Sequence, residues 1–94
     1  MFVGYKRTVS LFIYVNITTK ILIMSKKDLR KFGKKLKSLR LANNLTQLEL
    51  AEILEMSPNF IGMIERGERN TTVENVYNIA RALKIQPSIL FEEL

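Results

Sequence analysis

The chain has ninety-four residues, enough for one domain with a single small core. Fifteen Lys and Arg against nine Asp and Glu give a formal charge of +6, which favours a polyanionic partner. There is no Cys and no His, so a disulfide framework, a thiol nucleophile, a zinc site and imidazole acid–base catalysis are excluded or nearly so. The carboxylates are scattered over exposed helix positions and no Gly-rich phosphate loop is present. These features argue against an enzyme, a cofactor or a bound metal, and no small-molecule ligand is expected.

A composition boundary falls near Met24. In residues 1–23, Val9, Leu11, Ile13, Val15 and Ile17 alternate with Ser10, Phe12, Tyr14 and Asn16, a strand period rather than a helix period. Its longest apolar run, Leu11 to Val15, is far short of the ~20 residues that span a bilayer. Three readings of this extension stand side by side: translation that truly starts at Met24, a strand pairing between protomers, and a membrane or export segment. The remainder, 24–94, reads as the domain proper.

From Lys26 the pattern is helical. Leu29, Phe32, Leu36 and Leu39 form one apolar stripe, and Lys and Arg occupy most other positions. Ala42-Asn43-Asn44 ends this helix, since Asn tolerates the left-handed conformation of a helix stop. Thr46 and Glu49 have capping-box spacing and open a second helix to about Leu54. Ser57 followed by Pro58 opens a third, with a hydroxyl cap and a proline whose missing N–H costs nothing there. Gly67 stops it. Thr71 with Glu74 predicts a further capping box, followed by a helix with Val73, Val76, Tyr77, Ala80 and Leu83 on its apolar side. Gln86-Pro87 opens a short last helix carrying Ile89, Leu90, Phe91 and Leu94. The sum is five short helices, an all-α domain.

The segment Thr46–Gly67 carries the function. Leu50, Ala51, Leu54, Met56, Ile61 and Ile64 have the spacing that two crossed helices need to share a core, with small Ala51 at their closest approach. Asn59, Gly62, Met63 and Arg66 are left on the outer face of the second helix of the pair. A helix held out in this way in a basic protein suggests DNA reading. Asn59 offers the paired donor and acceptor that fit adenine in the major groove. Phe60, at the edge of the buried face, suits either packing beneath the helix or contact with a thymine methyl. One such domain covers too few base pairs for useful specificity, so a homodimer on a pseudo-palindromic operator is expected. Leu90, Phe91 and Leu94 exceed what a core of this size needs and are the expected dimer surface.

The helix starts at Gln47 and Ser57, the Gln-Leu-Glu-Leu-Ala core and the ending Ile-Glu-Arg-Gly resemble the Cro and phage-repressor (XRE-type) helix-turn-helix regulators. The resemblance spans Leu29 to about Phe91 and implies a compact lambda-repressor-like DNA-binding domain in the cytoplasm. It implies that Gln47 touches a phosphate and that Ser57, Pro58, Asn59, Phe60 and Met63 lie in the major groove. Arg66, Arg69 and Asn70 would then hold the DNA backbone, and Arg40 with Glu65 would form a structural ion pair. The run Glu65 to Thr72 is also similar to controller proteins of restriction–modification systems. One departure stands out: the turn between the paired helices usually carries glycine, and here it carries Glu55, where left-handed geometry costs ~1–2 kcal/mol. Two further functions compete with a plain regulator. One is an antitoxin-like module that binds both DNA and a partner protein, and the other is a basic protein of the membrane surface.

Overall fold

The computed structural model of the chain describes residues 24–92; the expectations for the 1–23 extension and for Leu94 lie outside the described residues. The described chain forms α1 (Lys26–Ala42), α2 (Gln47–Leu54), α3 (Pro58–Glu65) and α4 (Val73–Ala82), then a 3-10 helix, Pro87–Phe91. The expected short fifth helix is thus a 3-10 turn, because the five residues Pro87–Phe91, ahead of the extended backbone of Glu92, leave little room for repeated i to i+4 bonds. α1 packs on α3 and on the 3-10 helix, while α2 packs on α3 and α4. The core is Phe32 and Leu36 of α1, Leu50 and Ala51 of α2, Ile61 and Ile64 of α3, and Val76, Ile79 and Ala80 of α4, closed by Leu83 and Leu90.

Each helix end follows from local chemistry. Ser25 Oγ accepts the Asp28 N–H at 3.1 Å and starts α1. Asn44, at φ 56°, turns the chain beyond its end. The capping box of α2 is complete: Glu49 N–H donates to Thr46 Oγ1 and Thr46 N–H donates to Glu49 Oε1, both at 3.0 Å. The Thr46 N–H holds the Glu49 carboxyl below its ordinary value. Ser57 Oγ accepts the Phe60 N–H, with Pro58 in the first turn of α3. Glu55 adopts φ 56° and ψ 41°, so the turn takes the left-handed geometry despite its side chain. The Met56 N–H returns to the Ala51 carbonyl at 2.9 Å, a closure that helps hold Glu55 in that conformation.

Two expectations for α4 are corrected. Its cap is Thr72, whose Oγ1 accepts the Asn75 N–H at 3.1 Å, rather than Thr71. The loop after Gly67 is one residue longer than the spacing suggested, and Thr71 is turned inward, with its Oγ1 buried and unpartnered among the described residues. Tyr77 is not part of the apolar side: it is 54% exposed, and Ile79 fills the core instead. Leu90 is 0% exposed and closes its own core, so it is not available to a dimer surface. Phe91 is half-buried, with its ring 5.5 Å from that of Phe32.

α1 meets the end of α3 at Gly33. A Cβ there would lie 2.5 Å from the Glu65 carbonyl oxygen, a backbone atom that has no rotamer to escape into. Gly33→Ala is therefore expected to force the two helices apart and to destabilise the fold by about 2 kcal/mol or more. Urea unfolding of the variant beside the wild type measures the loss.

Candidate nucleic-acid interface

The angle between α2 and α3 is held by a buried polar network. Arg40 Nε donates to Glu65 Oε2 at 2.6 Å and Arg40 Nη2 donates to Glu65 Oε1 at 3.1 Å, a bidentate pair with side chains only 7% and 2% exposed. Arg40 Nη1 donates to the Leu45 carbonyl at 2.7 Å, and Gln47 Nε2 donates to Glu65 Oε1 at 3.0 Å. One carboxylate on the last turn of α3 is thus tied to α1, and through Gln47 to the first turn of α2. Two charges taken from water are expensive unless they are paired and hydrogen-bonded, and here both carboxylate oxygens accept, Oε1 twice and Oε2 once.

That network frees the front of α3. Ser57, Pro58 and Asn59 are exposed at its start, and Phe60 and Met63 are half-buried at its edges. Gly62, expected on the open outer face, is buried instead: a Cβ added there would lie 2.9 Å from Arg66 Nη1 and 3.5 Å from Gln47 Oε1. The side chain of Arg66 folds back along the helix and covers it. Arg66 is in turn gripped by Glu68, with Nε donating to Oε1 at 2.9 Å and Nη2 to Oε2 at 3.1 Å. The hydrogen bond from Arg66 holds the Glu68 carboxyl below its ordinary value, and the same bond holds the Arg66 guanidinium above its own. The Arg69 guanidinium lies 5.7 Å from the centre of the Phe60 ring, a cation–π distance. Asn70 Oδ1 accepts the Thr71 N–H at 2.8 Å and braces the loop.

Ser57, Asn59, Arg66 and Arg69 therefore surround one exposed helix, and Gln47 adjoins it with its amide N–H committed inward. Two contacts carried no sequence signal. Gln47 reaches Glu65 across eighteen positions, and Glu68 grips Arg66 two residues away in a loop, where no helical spacing rule applies. A third feature is an open groove of about 470 Å³ lined by Ile53, Leu54, Glu55, Asn78, Arg81 and Ala82. Ile53 beside it is 55% exposed. Among the described residues, no helix is long and apolar enough to cross a membrane and no cluster of His, Cys, Asp or Glu has the make-up of a metal site.

This pedestal-and-reader arrangement is that of a DNA-binding transcription regulator, a non-enzymatic class. Residues 36–90 match the helix-turn-helix family model, more than half of the chain, and the chain belongs to that family. It is 37% identical over 62 residues to the control protein C.BamHI of Bacillus amyloliquefaciens, covering 65% of this chain and 76% of that protein. The crystal structure of the restriction–modification controller protein C.AhdI from Aeromonas hydrophila superposes with a TM-score of 0.67 at 42% identity, covering 69% of this chain and 98% of that one. The controller C.Esp1396I, solved as a tetramer in complex with its natural 35 base-pair operator, superposes with a TM-score of 0.60 at 31% identity, covering 68% and 84%.

Removing Glu65 strands Arg40 in a buried site and is expected to cost about 3–5 kcal/mol. The double change Arg40→Met with Glu65→Leu should cost clearly less than the two single changes summed, as read from a double-mutant cycle by chemical denaturation.

Proposed function

We propose that the chain is a sequence-specific double-stranded DNA-binding regulator that acts as a homodimer on a pseudo-palindromic operator, as a controller of a restriction–modification system. The observation that carries this is the front of α3: Ser57, Pro58 and Asn59 are exposed at the start of a helix whose far end is locked to two neighbours. Such a helix can enter a major groove without disturbing the core. The likeness to C.BamHI and C.AhdI supports the controller role, and the operator complex of C.Esp1396I supports assembly on DNA. A cytoplasmic site of action agrees with a chain that lacks Cys altogether.

Asn59 reads, and the residues beyond α3 hold. The Asn59 amide meets an adenine edge, Met63 and the open side of Phe60 face the groove wall, and Arg69, whose guanidinium lies over the Phe60 ring, turns the remaining N–H groups of that guanidinium to a phosphate. Arg66 keeps the outer edge of its guanidinium for the backbone, since Glu68 occupies only Nε and one N–H of Nη2. Two protomers would read half-sites about one helical turn (~34 Å) apart. With Leu90 buried, the protomers meet through groups that water still reaches: Tyr77 on α4 and Ile53 on α2, next to the groove, together with the open part of Phe91.

Two measurements test this reading. Asn59→Ala should weaken binding to a duplex selected from random sequence by ~1–3 kcal/mol per half-site and leave a scrambled duplex nearly unaffected. Arg69→Ala should weaken both alike and flatten the dependence of log affinity on log salt by about one per contact. If Asn59→Ala retains the sequence preference, the assigned reading face is wrong. For the dimer, Tyr77→Ser should raise the dissociation constant by roughly tenfold or more in sedimentation equilibrium, with the helical circular dichroism spectrum preserved.

A further inference from the structure

Charge in this protein is segregated. α1 holds eight of the fifteen cations and a single carboxylate, Asp28. From residue 45 to residue 92 the balance is reversed, with four cations against seven carboxylates. A basic helix alone signifies only a solvated face, so its position decides what it can do. On a helix, positions 26, 30, 33, 37 and 40 stand in one row at three- and four-residue intervals. Three rungs of that row are pinned to the C-terminal end of α3 and to the loop that follows it. The Arg30 backbone and stem abut Gly67, where an added Cβ would lie 2.9 Å from Arg30 Cα and 2.7 Å from its Cγ. Gly33 abuts the carbonyls of Ile64 and Glu65, and Arg40 grips Glu65. Lys26, Arg30 and Lys37 are exposed along this edge, and among the described residues none of the three is in an ion pair.

We propose that this edge of α1, Lys26, Arg30 and Lys37, is a second DNA-contact surface that follows the phosphate backbone outward from the bases α3 reads. The inference rests on the DNA-binding function argued above and adds a site to it. The edge continues the loop that presents Arg66 and Arg69, so one phosphate strand can pass from the loop onto the helix. From position 26 to position 37 a helix advances about 16 Å, close to the rise of roughly five nucleotides along one strand. The Arg30 stem is packed against Gly67 while its head stays in water, which aims the charge without burying it. The contact is blind to sequence. It sets affinity and salt sensitivity, whereas α3 sets preference.

The test compares two charge-matched variants of the full chain. One carries Lys26→Gln, Arg30→Gln and Lys37→Gln; the other carries Lys27→Gln, Lys31→Gln and Lys35→Gln on the opposite flank of α1. Binding is measured by fluorescence anisotropy over a salt series, on a duplex selected by the wild type and on a mixed-sequence duplex. The first variant should lose about 0.9 of slope in log affinity against log salt for each phosphate contact removed, on both duplexes, with the preference between them unchanged. The second should lose much less slope. Equal losses in the two variants, or no loss in the first, overturn the proposed edge even while the wild type still selects a sequence. A wild type that selects no sequence but binds vesicles containing phosphatidylserine, and loses that binding in the first variant, overturns the DNA function itself and makes the edge a membrane contact.

Discussion

One carboxylate organises this domain. Glu65 sits on the last turn of α3 and receives hydrogen bonds from Arg40 of α1 and Gln47 of α2, so three helices meet at two oxygen atoms. Such a cluster offers little net stability over a well-packed apolar substitute, because desolvation offsets most of the attraction. What it supplies is selectivity among arrangements. Leucine and isoleucine in a core this small tolerate several crossing angles, whereas a bidentate guanidinium and a side-chain amide on one carboxylate tolerate few. The angle between α2 and α3 is the quantity on which groove reading depends, and it is set where the polar bonds are.

Much of the architecture was legible because its signals are local. Thr46 with Glu49, Ser57 with Pro58, and Gly67 each act within one turn, and each terminus lies where those residues place it. The failures have the same origin. Thr71 and Thr72 offer identical hydroxyls at adjacent positions, and only the path of the loop decides which one caps α4. Tyr77 and Ile79 both look apolar, yet a tyrosine can leave its hydroxyl and half its ring in water, and the wholly aliphatic isoleucine takes the interior. Leu90 counts as spare in a tally of apolar residues, which does not reveal that a 3-10 turn buries its side chain in the same core cluster as Phe32 and Leu83.

The candidate site divides along the same line. The exposed start of α3 follows from its cap and its apolar side, so Asn59 could be placed from spacing alone. The Arg40–Glu65 pair could not, since 25 residues separate its partners and only resemblance to a family suggested it. Spacing places Arg66 on the outer face of the helix without revealing its neighbours. Glu68 holds one edge of its guanidinium and Gly62 gives it a floor, an arrangement that depends on two residues whose types alone predict nothing.

α3 is anchored at its tail and bare at its tip. Its contacts with the rest of the domain run through Ile61, Ile64 and Glu65, while Ser57, Pro58 and Asn59 touch little beyond their own turn. Changes at the tip are therefore almost decoupled from folding, provided the cap survives. With the tip as the proposed reader, a lineage of such proteins can drift from one target sequence to another through substitutions near residue 59 without passing through unstable intermediates. The scaffold is conservative where it is buried and evolvable where it reads.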